Sequence, residues 1–542
     1  MTVGLASKNL AKSGGKAVLN ETWVRPSDWL AMPTITPGTH RYVMLVAVYN
    51  SSANYHRIDP LGSAYTVDWG DGSAPENFAT GVAASHNYSW AGATGSVTSL
   101  GYKTAIVQVY PQGAGTFTGF TGDVKHASAP ANYVSPLLDF ECSAPGSTLP
   151  ILRDSASTQK NYLLQHFKTY SAHTTASWNN AFGVLSSLRL VEGLELSTPT
   201  SLISAFQNCS SLIRGPEMNT TSVASFSSTF NSCLRMVSVP DYDYSAATDM
   251  SLMYSACYAL RSLGVMNTGN ATLFIQTFQN CYSLTGISSL DTTKATSLAY
   301  AWDNCRSMIT WPTLNTPANL NLFATFRGCT AQATAPAMNT SLVTSMDQTF
   351  SGNSSLNSVP MYDTSKVTIM TSVLGGCVSL RTAPSWDTSK VTNMASALNW
   401  CISLQACPVW DLTMCNNTTS MFTGCSGLVA ITALTNTSAI ATASSMFTNC
   451  TMLQVLSINL SGVTIIGAPF TGTTMLRSVI LTGLTRGVSV ATNLLDATAL
   501  DALYTSLGTA AGAQVVTVTS NPGTTSDTPS IATGKGWTVT GS

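Results

Sequence analysis

Thirteen cysteines are the residues of this 542-residue chain with the clearest capacity for chemistry. A thiol can bridge, ligate a soft metal or attack an electrophile. The spacing narrows these options. Cys209, Cys233, Cys257, Cys281, Cys305 and Cys329 stand 24 residues apart. Asn353 takes the next place, Cys377, Cys401 and Cys425 resume the series, and Cys450 ends it one residue late. One reading is a disulfide ladder or a metal site. The other is a stack of buried thiols, each filling a slot in a repeated unit. Equivalent side chains of adjacent units point the same way, which is poor geometry for a bridge. A free cysteine behaves well as a small hydrophobe, and Asn353 in one slot argues against bonding. Buried free thiols are expected, in keeping with assembly in a reducing compartment. Cys407 and Cys415 fall in apolar columns of the same repeat, and only Cys142 lies outside it.

The remaining candidates for chemistry are few. Asp68 and Asp71, in Val67-Asp68-Trp69-Gly70-Asp71-Gly72-Ser73, bring two carboxylates together. Calcium wants six to eight oxygens, so the expectation is that both carboxylates organise a Gly-containing turn. His40, His56, His86, His126, His166 and His173 are scattered without metal-ligand spacing, and all precede the repeats. His86 reads as a structural strand residue. The chain carries no phosphate-binding Gly-x-x-x-x-Gly-Lys-Ser/Thr and no Gly-x-Ser-x-Gly elbow in a strand–helix context. The repeat carboxylates sit in turn columns. The expectation is a protein without catalytic residues, cofactor or metal.

The elements that hold these residues follow from the other columns. Three residues before each marker stands a large apolar side chain: Phe206, Phe230, Tyr254, Phe278, Trp302, Phe326, Phe350, Leu374, Leu398, Phe422 and Phe447. Three residues after it comes Leu or Met, with a lapse at Gln332; seven after it is often Pro, and ten after it Asn or Asp. Phe182, Leu185 and Leu188 add one unit upstream, and Phe470, Thr473 and Leu476 one downstream. About thirteen coils therefore span residues 175–480. Each coil should give a short strand near its Leu, paired in parallel with the next at about 4.8 Å. The Asn/Asp column fits a turn or a helix N-cap, and Met346 to Phe350 reads as one helical turn. One residue past the Leu column, Arg261, Ile309, Asn357, Arg381 and Gln405 should face solvent. They vary as a binding face would, and as weakly constrained positions also would.

Charge is scarce. Only 9% of residues are charged and the net charge is -1, against roughly 25% charged in ordinary domains. No basic footprint for nucleic acid or an anionic membrane is present. The apolar share of 44% is enough for a core. Tyr42 to Tyr49 is far too short to span a bilayer. The first twenty residues place Lys8, Lys12 and Lys16 among small residues without an apolar run, so no secretory signal is read. A soluble protein made without a standard export signal is expected.

The flanks divide naturally. Residues 1–40 read as an attachment arm, with Trp23 and Trp29 flanking Arg25-Pro26-Ser27-Asp28 as anchors. Residues 41–140 read as all-β, and 141–174 as a linker and N-terminal cap. The solenoid occupies 175–480, and 481–542 form a C-terminal cap with a helix over Leu494–Leu507 and a strand over Gln514–Thr519.

Three resemblances follow. A 24-residue period falls in the leucine-rich-repeat range. Asp363-Thr-Ser-Lys-Val-Thr-Ile-Met370 and Asp387-Thr-Ser-Lys-Val-Thr-Asn-Met394 resemble the BspA-type leucine-rich repeats of bacterial surface proteins. The Val67–Ser73 turn, Ser85-His86-Asn87-Tyr88 and the alternating run Tyr102–Val109 resemble the polycystic-kidney-disease (PKD) domain, an immunoglobulin-like sandwich. Arg25-Pro-Ser-Asp-Trp-Leu30, and the ending from Asn521-Pro-Gly to Gly536-Trp-Thr-Val539, are similar to virion structural proteins of tailed phages, especially those infecting cyanobacteria. Together these imply a mainly β protein with short helical turns, an immunoglobulin-like sandwich followed by a solenoid. The implied function is a non-enzymatic virion protein: a tail fibre, spike or surface adhesin. Residues 1–140 would meet other virion proteins, and the solenoid face a host receptor, protein or polysaccharide. A homo-oligomer fits this picture; nucleic acid and membrane insertion do not. The alternative is a bacterial cell-surface adhesin with BspA-type repeats, which needs an export route.

Overall fold

The computed structural model describes residues 23–52, 54–121, 128–129, 134–152, 163–315 and 321–542. Strand Arg41–Val48 (β1) is a run of apolar residues because both of its faces are covered. Tyr42, Met44, Val46 and Val48 enter the main core. Leu45 and Ala47 face the other way, against Trp29, Tyr102 and Leu138. The next strands are Tyr55–Gly62 (β2), Tyr65–Asp68 (β3), Glu76–Phe78 (β4), Ala84–Asn87 (β5), Lys103–Pro111 (β6) and Phe117–Thr121 (β7). They make two sheets, one containing β1-β6-β3-β4 and the other β5-β2-β7. Tyr42, Trp69 and Phe117 fill the shared core.

The first sheet does not stop there. Leu137–Ser143 (β8) pairs antiparallel with β1 on one side and parallel with His166–Thr169 (β9) on the other. Leu190–Glu192 (β10) then adds in parallel. The sheet order is β10-β9-β8-β1-β6-β3-β4. β8 is therefore the seam between antiparallel sandwich and parallel solenoid. The 140/141 boundary falls inside this strand, and residues 141–174 contribute β9. One apolar cluster runs without a break from Tyr42 to Trp537.

Within the repeats, Ser262–Met266 (β11) pairs with Gly286–Leu290 (β12) in a 24-residue register, Leu263 opposite Ile287. Bridges such as Arg214 to Ser238, Thr334 to Ser358 and Thr382 to Ala406 continue this ladder. A second ladder of bridges runs through Ser201, Ser225, Asp249 and Leu273. Parallel pairing extends beyond the repeat motif at both ends, so the solenoid makes about 16 turns. At the C-terminus, Val488–Ser489, Gln514–Thr517 and Trp537–Thr540 keep the parallel pairing. Helix Ala497–Ser506 (α1) starts at Asp496, whose side chain accepts the Ala499 N–H. Among the described residues no helix is long and apolar enough to cross a membrane.

Met346 to Phe350 is not a helical turn. It is a run of linked β-turns in which Gln348 and Gly352 have φ of 54° and 75°. Thr349 and Ser351 donate to carbonyls three residues back, on Met346 and Gln348. Gln348, Phe350 and Gly352 donate instead to Thr371, Val373 and Gly375 of the next coil. A helix would spend every N–H within its own segment. Here alternate N–H groups stitch coil to coil, which gives each unit the partner it needs. The large apolar column forms a continuous pile inside. Neighbouring rings from Phe182 through Phe206, Phe230, Tyr254, Phe278, Trp302 and Phe326 to Phe350 lie 5.1 to 6.1 Å apart.

One position in this core breaks the pattern. Gln332 occupies the Leu column and is buried, and its Nε2 has no hydrogen-bond partner among the described residues. Gln332→Leu is expected to stabilise the protein by about 1–2 kcal/mol, because the variant removes an unsatisfied buried donor and buries a fully apolar side chain instead. A lower urea midpoint for the variant would refute this.

Candidate functional site

The five residues expected to face solvent do so. The preceding Leu or Met of each coil (Leu260, Met308, Leu356, Leu380 and Leu404) is fully buried. Alternation along an extended segment then turns the next side chain outward. The backbone beneath is paired: the Thr285 N–H donates to the Arg261 carbonyl at 2.8 Å, Ile309 to Thr285 at 2.9 Å and Gln405 to Arg381 at 3.0 Å. Arg261, Ile309, Asn357, Arg381 and Gln405 thus stand in one 24-residue register along the rod. Ile309 is 63% exposed. Further along their coils, Val265, Met361 and Val409 are exposed too. The surface offers shape, two guanidinium groups and isolated apolar knobs on a ground of Ser, Thr and Ala.

The thiol ladder faces inward. All thirteen cysteines are free, and every one except the half-buried Cys407 is buried. Each ladder thiol donates to the carbonyl of an aromatic or Leu column residue, as Cys209 to Phe182 at 3.1 Å and Cys305 to Phe278 at 3.1 Å. In the vacant slot, Asn353 Oδ1 accepts the Cys329 N–H. Burial pushes the Cys209, Cys377 and Cys450 thiols up to about 12. They stay protonated near neutrality, and a thiol is a poor nucleophile. In the folded protein a disulfide-exchange reagent should modify at most Cys407, whereas all thirteen should react in concentrated guanidinium chloride. Rapid labelling of ladder thiols in the folded state would refute the packing.

The carboxylates serve turns. Asp68 accepts the Gly70 N–H, and Asp71 accepts from Ser73 N–H and Oγ and also meets His86 Nε2 at 2.8 Å. In the repeats, Asp363, Asp387 and Asp411 accept the N–H two residues on. Hydrogen bonds from Ser365, Ser389 and Thr413 hold these three carboxyls below the usual range.

A charged knot on the sandwich seam is invisible in the sequence. Asp139 on β8 is buried, with one carboxylate oxygen on Arg25 and the other 2.8 Å from His166 Nδ1 on β9. His166 Nε2 lies 3.0 Å from Glu192 on β10. Trp23 stacks on His166 at 4.9 Å, and Trp29 donates to Tyr102. The two tryptophans are thus anchors for the arm, and the partners lie up to 114 residues apart. Asp139, Glu141 and His166 come within 4.8 Å of one another, but the Asp139 oxygens are spent on Arg25 and His166. The nearby His173 is buried between Ser147 and Thr169 hydroxyls. Burial lowers it to about 4, partly offset by backbone groups of Ser147 and Thr148. It is neutral in the folded state, so the unfolded chain binds its proton first as pH falls. Stability should be full above about pH 6.5 and drop by about 3 kcal/mol by pH 4. His173→Gln should flatten urea midpoints across that window; an unchanged profile would assign the loss elsewhere.

Residues 200–311, 320–430 and 344–461 match the family model described as "Mycoplasma protein of unknown function, DUF285". No curated protein matches the chain. Among solved structures, the chain is similar to "Crystal structure of TLR13-ssRNA13 complex" at 13% identity and a TM-score of 0.17, covering 67% of this chain. It spans 57% of that protein's chain, a little over half of its length. The class is a parallel β-solenoid with a 24-residue period. Its repeats are similar to those of the DUF285 family.

Proposed function

We propose that this is a non-enzymatic display protein of a phage virion: a tail fibre, spike or surface adhesin. Its arm and PKD-like sandwich attach to the particle, and its solenoid presents the Arg261–Gln405 face to a host receptor. The observation that carries the reading is the continuous sheet from β4 to β10. Sandwich and rod share backbone hydrogen bonds and one core, so an attached end and a displayed face move as one body. The phage-like phrases at both ends and the polar, nearly uncharged surface support it. The Asp68 and Asp71 turn bonds are in keeping with a PKD-like turn. A second reading, a bacterial cell-surface adhesin, is favoured by the Mycoplasma description of the matching family. Mass spectrometry of purified particles and of cell envelopes separates the two. The chain in particles supports the first; its absence there and presence on envelopes overturns it in favour of the second.

A further inference from the structure

A different strip of the rod has features that folding alone does not require. It runs along the residues on either side of each ladder thiol. On one side Tyr258 and Tyr282 stack at 4.7 Å and 17°, and the Arg306 guanidinium lies over Tyr282 at 4.7 Å. Arg306 is exposed and has no carboxylate partner among the described residues. On the other side Arg327 covers Tyr300 at 5.3 Å and is held by both oxygens of Asp303. Between the two arginines lies an open trough of about 550 Å3, lined also by Asn304, Gly328, Thr330 and Ser351.

The strip ends on Trp400. Its φ is 56°, a region where a bulky side chain is strained. The same position in the flanking coils is Gly376 and Gly424, both with φ above 70°. A Cβ at Gly424 would meet three atoms of the Trp400 ring at 2.6 to 3.1 Å, so the indole lies over that glycine. It remains 52% exposed. A large apolar ring in a strained backbone, without burial in return, is what a binding platform looks like.

We propose that the strip from Tyr258 to Trp400 binds an extended anionic polysaccharide. Sugar rings stack on Tyr258 and Trp400, Tyr282 is sandwiched between Tyr258 and Arg306 and holds both in place, hydroxyls meet Asn304, Thr330 and Ser351, and a carboxylate takes Arg306. The six coil-to-coil steps between the end platforms span roughly 29 Å at about 4.8 Å each, room for several sugar rings. A peptide fits less well. The floor has no deep apolar pocket for a side chain, and its backbone is already paired, Gly328 N–H to Ser351 and Gly352 N–H to Gly375. No edge is left for an added strand. The uncompensated charge is cationic, which selects an acidic glycan over a neutral one. This assignment adds a second recognition strip, with its ligand class, to the display reading, and rests on it.

Affinity electrophoresis of the full chain in gels containing polygalacturonate, dextran or polyglutamate tests it. Polygalacturonate should retard the protein and the other two should not. Arg306→Ala and Trp400→Gly should each weaken retardation at least tenfold, while Arg477→Ala, exposed and outside both the strip and the Arg261–Gln405 face, leaves it unchanged. Trp400→Gly should also raise the thermal midpoint, which separates lost binding from lost folding. Absence of retardation, equal retardation by dextran or polyglutamate, or wild-type behaviour of both strip variants overturns the assignment. A chain found in particles or envelopes that ignores polygalacturonate defeats this assignment alone and leaves the display reading standing.

Discussion

Asp139→Ala is expected to destabilise the protein by about 3–5 kcal/mol, the usual cost of removing one partner of a buried ionic network. Asp139 is fully buried and serves two partners at once, the Arg25 guanidinium from the arm and the His166 ring from β9. Without it, His166 keeps only Glu192, which is 43% exposed, and must face Trp23 with an unsatisfied Nδ1. Arg25 is 25% exposed and can turn toward water, so Arg25→Ala should cost less, about 1–3 kcal/mol. The arm should loosen in both variants. Urea unfolding gives the free energies. Faster hydrogen exchange at the Trp29 amide, which donates to Pro26, reports the loosening. A loss below about 1 kcal/mol in Asp139→Ala would mean that the knot is decoration, and that Trp23 and Trp29 hold the arm by packing alone.

Phe326→Ala should cost about 3–5 kcal/mol by opening a cavity in the ring pile. The ring is fully buried, lies 5.4 Å from Trp302 and 5.5 Å from Phe350, and is met edge-on by Trp311 at 4.8 Å. Collapse is hard because the coils above and below are tied by backbone bonds, Phe326 N–H to Thr349 among them. Phe326→Leu should cost only about 1 kcal/mol, because Leu374 and Leu398 already fill the same column fully buried. Equilibrium unfolding of the pair decides whether volume or ring stacking matters. Near-equal losses would credit stacking; a small loss in the alanine variant would show that the coils close over the gap. In a solenoid each unit leans on its neighbours, so exchange should quicken first in the coils around residues 302–350.

Much of the molecule is legible because a solenoid touches itself one period away. Each column repeats every 24 residues, so the columns of Cys209 and Phe206 can be read as inward stacks without coordinates, and Arg261 through Gln405 as outward. The linked turns are less legible, although a signal exists. The position before the thiol slot is Asn208, Asn280, Asn304, Gly328, Gly352, Gly376, Gly424 and Asn449 in eight coils, the Gly352 slot being filled by Asn353. Asn and Gly are the residues that tolerate positive φ. Trp400 shares that conformation at this very position, and Leu252 and Ser372 share it elsewhere in the turns; they hide the pattern, since coil-to-coil hydrogen bonds override their local preference.

The sequence by itself determined the period, the buried thiols and the exposed register of the sheet face, because these are properties of one coil and its nearest neighbour. Only the tertiary structure decided where the sandwich becomes the rod, how Arg25 reaches Asp139, and that Tyr258, Arg306 and Trp400 share a strip. Those features bring together residues from unlike parts of the chain or from columns whose occupants differ. Periodicity carries no information about either. The closing of the sheet at β8 and the stacking of coils supply it.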